Sequence, residues 1–180
     1  MSQTVRIRAL INRLARLDAA QTRIDDLNPT QLAALDYLSR ANRFSRAPSQ
    51  VADYFGTTRG TMSQTLKALE RKGHIRELRS EIDRRSISYH LTASGTAIAA
   101  RAGVLQGAIA ALDPQERGRL ESSLFGLLKG CLDRNDGRSF GLCKTCKYHR
   151  TQAGGAYCAL MSVALEPAEA ELICHEQIPA

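Results

Sequence analysis

Two short helical patterns separated by a glycine constrain the fold of this sequence more than any other feature. The first pattern begins at Pro48, and the second begins at Thr57 or Thr58 and ends at Gly73. Gly56 lies between them, and glycine readily adopts the backbone conformation of a tight turn. The second pattern places three apolar residues on one helical face, namely Met62, Leu66 and Leu69. The sequence therefore predicts a helix, a tight turn and a second helix.

The periodicity changes after Gly73 from helical to alternating. Ile75 and Leu78 suit a strand, and residues 86–91 alternate polar with apolar side chains, which is typical of a half-buried strand. The charged stretch 79–85 between them has the composition of a hairpin tip. Two strands joined by a charged hairpin, directly after a helix-turn-helix, predict the wing of a winged-helix domain.

Further helical patterns flank this region on both sides. An amphipathic helix is predicted over residues 5–26, and a second one, capped by Asn28 with proline behind it, ends near Asn42. Thr92 suits the cap of a helix through residue 112, and the sequence Asp-Pro-Gln-Glu at 113–116 is a strong start for the next helix. The predicted fold class is mainly α with a small β-hairpin wing.

Composition and charge restrict the function. The formal net charge is +7, which favours an anionic partner such as nucleic acid. No apolar run is long enough to span a bilayer and no secretory signal is recognisable, so we expect a cytoplasmic protein that does not bind membranes. The arginine-rich start also suits a transit peptide, but its helical spacing favours a helix of the fold. Because nucleophile-elbow, phosphate-loop and H-E-x-x-H motifs are missing from the sequence, we expect no enzymatic activity.

The order of these elements resembles the MarR family of transcription regulators. The resemblance spans residues 5–135 and is carried by Gly-His-Ile at 73–75, Asp-Arg-Arg at 83–85 and Leu-Thr-Ala-Ser-Gly at 91–95. It implies a homodimer in which the first and the last two long helices form the dimerisation region. Each subunit would then place one winged helix on a palindromic site in double-stranded DNA.

With this resemblance, the chain divides into four predicted parts. They are an N-terminal dimerisation helix (1–28), a winged helix-turn-helix DNA-binding domain (29–92), C-terminal dimerisation helices (93–138) and a cysteine-rich extension that binds a metal or a cluster (139–180). Ordinary MarR proteins lack the last part.

The polar face of the second helix of the helix-turn-helix is the predicted DNA reader, because a helix fits the major groove and side chains there reach base edges. Gln64 is suited to a bidentate bond to adenine, and Lys67 to guanine or phosphate. Thr58 and its neighbouring amides are suited to a phosphate at the helix N-terminus, and Arg59 to another phosphate. The remaining candidates on this face are Thr61 and Ser63.

The charged hairpin supplies a second predicted contact. Arg84 and Arg85 lie at its tip, where a guanidinium can enter the minor groove of A·T-rich DNA. In the MarR family the second arginine of this motif does so. Asp83 is predicted to hold the arginine, because phosphate repels a carboxylate. The alternative is a solvated charged turn.

Four of the five cysteines follow residue 140, in the order Cys143-x2-Cys146-x11-Cys158-x15-Cys174. Without an export signal, metal binding is a better interpretation than a disulfide framework. Structural zinc usually takes a second close pair, whereas the last two cysteines here are far apart. The spacing resembles that of high-potential iron–sulfur proteins, which implies an iron–sulfur cluster of the [4Fe-4S] type on these four cysteines. Zinc is the alternative cofactor.

The cysteine extension leaves three hypotheses open. In the first, a regulator senses redox state, oxygen or iron, and loss of the cluster changes the spacing of the winged domains. In the second, zinc is structural and a small ligand is the signal. In the third, the chain is a thiol redox protein. His149 and His175 are alternative zinc ligands but are predicted to lie on the surface, and Cys131 is predicted to be a small core residue.

Overall fold

A computed structural model of the chain describes residues 1–21, 26–79, 86–101, 103–134, 137–152 and 155–180. The helices are α1 (Gln3–Gln21), α2 (Pro29–Arg40), α3 (Pro48–Tyr54), α4 (Arg59–Arg71), α5 (Ala93–Ala99), α6 (Val104–Ala110) and α7 (Pro114–Asp133). The strands are β1 (Ile75–Arg79), β2 (Ile87–Leu91), β3 (Gly141–Leu142), β4 (His149–Gln152), β5 (Gly155–Cys158), β6 (Val163–Leu165) and β7 (Ile173–Cys174). This is the predicted class, mainly helical with a small wing.

Helices α2, α3 and α4 form the helix-turn-helix around one apolar core. Asn28 caps α2 in a reciprocal capping box with Gln31, and Thr58 caps α4. Gly56 has φ +59° and Gly73 has φ +76°, so glycine is needed both at the turn before α4 and at its end. The core residues exposed by 2% or less include Leu35, Tyr37, Leu38, Val51, Met62, Leu66, Leu69, Ile75 and Tyr89. The predicted helix, turn and second helix are confirmed.

The strands β1 and β2 pair antiparallel, with Ile75 opposite Leu91 and Arg79 opposite Ile87. Ile75 and Tyr89 turn inward to the core. The predicted hairpin tip, with Asp83, Arg84 and Arg85, lies outside the described residues.

The helix predicted from Thr92 to residue 112 is wrong, because the structure has two helices there. Thr92 does cap α5, through its hydroxyl and the amide of Gly95, but α5 ends at Ala99. A new helix, α6, then begins after Gly103, which offers no side chain to cap it and has a low helix propensity. Gly95 has a packing role, because a Cβ there would lie 2.0 Å from the carbonyl oxygen of His74.

Helices α1 and α7 expose apolar faces in the single chain. The large apolar side chains exposed on these two helices are Val5, Ile7, Leu10, Ile11, Leu14, Leu17, Leu120, Leu124, Phe125, Leu127 and Leu128. Cys131 lies on α7 and is exposed, so the prediction that it belongs to the core is wrong for the single chain, in which none of the described residues of α7 is buried. Of the described helices, none combines the length and apolarity required to cross a membrane.

The C-terminal extension, residues 137–180, consists of short strands and 3₁₀ turns. β3 pairs with β7, and β4, β5 and β6 form a three-stranded antiparallel sheet in that order. The extension packs back onto the helix-turn-helix, because Ile173 forms a parallel bridge with Ala41 at the end of α2.

Candidate functional site

The outer face of α4 is polar and accessible. Met62, Leu66 and Leu69 are completely buried and fix the orientation of the helix. On the opposite side, the exposed predicted DNA contacts are Arg59, Thr61, Gln64 and Lys67, and Ser63 is half-buried at the flank. The structure therefore brings these candidates to one side of a single helix, as a reader of the major groove requires.

Thr58 and Thr61 organise the start of α4. The Thr58 hydroxyl accepts a hydrogen bond from the Thr61 amide at 3.2 Å, and the two hydroxyl oxygens are 2.8 Å apart. Thr58 therefore closes the helix end as well as lying beside its exposed amides.

The four predicted ligand cysteines surround one small, mostly enclosed cavity. Cys143 and Cys146 lie in and directly after the 3₁₀ turn Cys143–Thr145, Cys158 ends β5, and Cys174 ends β7. The other residues that line the cavity are Asn42, Phe44, Tyr148, His149, Leu160, Met161, Leu165 and Glu176. Strand pairing thus brings together thiols that are up to 31 residues apart in sequence, since the cavity includes both Cys143 and Cys174.

The thiols are close enough to affect one another electrostatically. Burial, and after it the neighbouring Cys174, Cys158 and Cys146, raise the pKa of Cys143 to about 11. Burial also raises the pKa of Cys174. A hydrogen bond from the side-chain amide of Asn42 acts in the opposite direction and lowers this pKa. Thiolates at this position consequently require a compensating positive charge.

Two buried side-chain nitrogen atoms belong to the same cavity. The Asn42 Nδ2 and His149 Nε2 atoms are buried without an oxygen or nitrogen partner among the described residues. In the described ranges, no three histidine, cysteine or acidic side chains lie close enough together to hold a single ion.

The prediction that His149 and His175 lie on the surface is wrong. His149 lines the cavity, and the side chain of His175 is only 11% exposed. The His175 ring instead contacts the helix-turn-helix, with Nε2 lying 3.0 Å from Gln50 Nε2. Both histidines are only partly exposed, His175 because the extension folds onto α2 and α3, which the sequence did not reveal.

Several contacts fix the extension to the helix-turn-helix. The backbone amide of Asn42 donates to the Ile173 carbonyl at 2.9 Å, and the backbone amide of His175 donates to the Ser45 hydroxyl at 2.9 Å. Arg43 forms an ion pair with the buried Glu169 at 3.2 Å. Aromatic rings add a further contact, because the Phe140 ring packs edge-on against Tyr54 (centroids 5.3 Å apart) and Tyr37 (6.4 Å).

Comparison with known proteins bears on the helix-turn-helix and its wing. Residues 25–86, which include α2 to β1, match the model of the MarR family. The fold is that of a MarR-type winged helix. The Streptococcus pneumoniae protein FabT, solved in complex with DNA, is 25% identical with a TM-score of 0.57, over 72% of this chain and 95% of that chain.

Two further solved structures share the fold. Staphylococcus aureus MepR, solved as a DNA complex, is 20% identical with a TM-score of 0.56, over 72% of this chain and 98% of that chain. A probable transcriptional regulator from Pseudomonas aeruginosa is 26% identical with a TM-score of 0.52, over 70% of this chain and 96% of that chain. A comparison with curated protein sequences gave no match. The alignments cover nearly the full length of the three solved structures, but over a quarter of this chain has no counterpart in them.

The sequence pointed to the cysteines and to His149 but not to the other residues of their cavity. The sequence marked Asn42 only as the predicted end of a helix and gave no signal for Phe44, although both residues line the cavity. They are about 100 residues from Cys143 in sequence, and no spacing pattern connects them.

Proposed function

We propose that this protein is a homodimeric, sequence-specific DNA-binding transcription regulator of the MarR type that carries a redox-responsive iron–sulfur cluster on its four C-terminal cysteines. The observation that carries the DNA-binding part is the exposed polar face of α4 on a winged helix with a MarR-type fold. FabT and MepR, which share this fold, were both solved with DNA.

The side chains of α4 suit base and phosphate contacts. Gln64 offers the amide that pairs with an adenine edge, while Lys67 and Arg59 supply positive charge for guanine or phosphate. The sequence adds Arg84 and Arg85 as minor-groove contacts, with Asp83 as their support. Phosphate contacts give affinity, and base contacts give sequence preference.

The exposed apolar faces of α1 and α7 supply the dimer interface in this proposal. A monomeric protein rarely leaves so many leucines on two helices in contact with water. An isologous dimer covers both faces at once and presents two α4 helices, which suits a palindromic operator.

The DNA-binding proposal is tested with an operator selected from random duplexes. Fluorescence anisotropy at several salt concentrations is measured for the wild type, Gln64→Ala and Lys67→Ala. We expect Gln64→Ala to weaken the binding free energy by about 1–3 kcal/mol and to relax the sequence preference at one base pair. If Lys67 contacts phosphate, Lys67→Ala should lower by about 1 the slope of log affinity against log salt concentration. Lys129→Ala, on α7, removes the same charge elsewhere and should leave affinity unchanged. Wild-type affinity in both α4 variants contradicts the proposal.

The iron–sulfur proposal is supported by how the thiols are arranged. They come from separate points around one cavity, which suits a cluster several ångströms wide better than a single tetrahedral ion. The cavity wall includes the apolar side chains of Phe44, Leu160, Met161 and Leu165. The buried donors Asn42 Nδ2 and His149 Nε2 match the need of cluster sulfurs for hydrogen bonds. When bound, such a cluster supplies one-electron redox chemistry.

Regulation follows in this proposal from the position of the extension. Cys174 directly follows Ile173, which is hydrogen-bonded to the loop between α2 and α3. Order in the ligand-bearing strands is therefore coupled to order in the helix-turn-helix, and loss of the cluster should change DNA affinity.

Anaerobic reconstitution with iron and sulfide tests the cofactor. The wild type should become brown with visible absorption and bind about four iron atoms per chain. Cys143→Ser should lose this absorption, whereas Cys131→Ser should keep it, because Cys131 does not line the cavity. A colourless protein with about one zinc per chain favours the structural-zinc alternative. If operator affinity is identical with and without the cluster, the sensing role is wrong.

A further inference from the structure

We infer that Asn42 donates a hydrogen bond from its side-chain amide to a sulfur of the cysteine-bound cluster, and that it thereby couples the cluster to the helix-turn-helix. This inference rests on the proposed cluster. It assigns a positioning role to a residue of the DNA-binding domain, outside the four ligands.

The first observation is the environment of the Asn42 amide. Asn42 is completely buried, and its Nδ2 atom has no oxygen or nitrogen partner in the described part of the chain. The side chain lines the cysteine cavity and faces the Cys174 thiol. Apart from the weakly accepting Cys174 thiol, this buried N–H has no acceptor, so a more negative cluster sulfur in the cavity would satisfy it better.

The second observation is that the rest of Asn42 is used to hold the backbone of the DNA-binding domain. Its Oδ1 atom accepts hydrogen bonds from the Phe44 amide at 3.1 Å and from the Ser45 hydroxyl at 2.7 Å. The same carbonyl caps the 3₁₀ turn Arg43–Ser45 that leads into α3. A shift of this side chain toward or away from sulfur therefore moves the entry to α3.

The third observation is that the loop 41–46 also contacts the wing. The guanidinium of Arg46 donates to the Ala41 carbonyl at 2.8 and 3.0 Å, and its Nη1 lies 3.1 Å from His90 Nδ1 on β2. The Tyr89 amide donates to the Arg46 carbonyl at 3.0 Å. One loop thus joins the cysteine cavity to α3 and to the strand that leads to the hairpin tip.

An N–H donor interacts more strongly with a more negative sulfur. Asn42 therefore stabilises the form of the cluster that has accepted an electron from a one-electron donor, and raises its reduction potential. By thermodynamic linkage, the interaction that ties Asn42 to the cluster also makes DNA affinity depend on the cluster.

The test uses the full-length protein reconstituted anaerobically. Asn42→Asp keeps an oxygen that caps the turn but replaces the donor by a second acceptor. Asn42→Ser keeps a capping hydroxyl that is too short to reach sulfur. Circular dichroism confirms that each variant is folded. If the buried aspartate of Asn42→Asp prevents folding, Asn42→Ser alone is used for the measurements. The midpoint potential is measured by redox titration of the visible absorption, and operator affinity with and without the cluster by anisotropy.

We expect both variants to bind the cluster with a lower midpoint potential. In the wild type, typical coupling makes operator affinity with the cluster differ about 5- to 150-fold from operator affinity without it. We expect this ratio to fall toward 1 in both Asn42 variants. His149→Ala removes the other buried donor, which belongs to the extension, and should lower the potential while preserving the ratio.

The outcomes separate this inference from the function it rests on. A wild type that binds no cluster overturns both. A wild type with a cluster, combined with folded Asn42 variants whose potential and affinity ratio are unchanged, overturns only the role of Asn42. The role of Asn42 is also overturned if the affinity ratio falls as far in His149→Ala as in the Asn42 variants, because the coupling would then not pass through the loop 41–46.

Discussion

The double substitution Leu124→Ala and Leu128→Ala tests the proposed dimer directly. These leucines lie one turn apart on α7 and are 46% and 52% exposed in the single chain. If α7 is part of the dimer interface, this exposed half of each side chain becomes buried when two chains associate.

The expected effect follows from the exposed fractions. Complete burial of a leucine contributes about 1.5–3 kcal/mol, so burial of the exposed half contributes about 0.8–1.5 kcal/mol. An isologous interface contains each residue twice, so the double variant removes four such contributions, about 3–6 kcal/mol in all. This weakens dimerisation by a factor of about 10² to 10⁴.

Sedimentation equilibrium over a wide concentration range measures the dimer dissociation constant. Lys129→Ala is the control, because Lys129 is an exposed residue of the same helix that is not one of its exposed apolar side chains. The reasoning is refuted if the double variant dimerises as tightly as Lys129→Ala while its circular dichroism remains that of the wild type.

Three further substitutions examine the fold. Leu66→Ala should lower the free energy of unfolding in urea by about 2–5 kcal/mol, because Leu66 is fully buried; a loss below about 1 kcal/mol would contradict the described core. Gly95→Ala should lower the melting temperature, since a Cβ would lie 2.0 Å from the His74 carbonyl oxygen; an unchanged value would contradict this close approach. Phe140→Ala should make the extension more sensitive to limited proteolysis and leave α2 to α4 resistant, because the ring anchors the extension on Tyr54; uniform resistance would show that other contacts suffice.

The elements that the sequence predicted well are those with local signals. The helix-turn-helix follows from apolar spacing within α4 and from glycines that the structure places at positive φ. The break between α5 and α6 was missed, because the cap at Thr92 and the cap at Asp113 suggested one helix between them. Cys131 was misplaced, because the apolar face of α7 is not covered within one chain.

The cysteine cavity was partly predictable. The C-x2-C pair and two distant cysteines indicated one site, and the four thiols do surround one cavity. The wall contributed by Asn42 and the contacts of His175 with Ser45 and Gln50 depend on tertiary docking, which no local pattern encodes. Such contacts appear only once the packing of the extension on α2 and α3 is known.

The contact between Ser45 and His175 spans 130 residues of chain. At about 5–20 residues per second, a ribosome needs roughly 6 to 26 seconds to pass from one to the other. The winged helix has therefore emerged and had time to fold before Cys174 is made. Each newly synthesised subunit thus passes through a stage in which Asn42 and the turn after it are still open to water, and the last strand closes over a preformed surface.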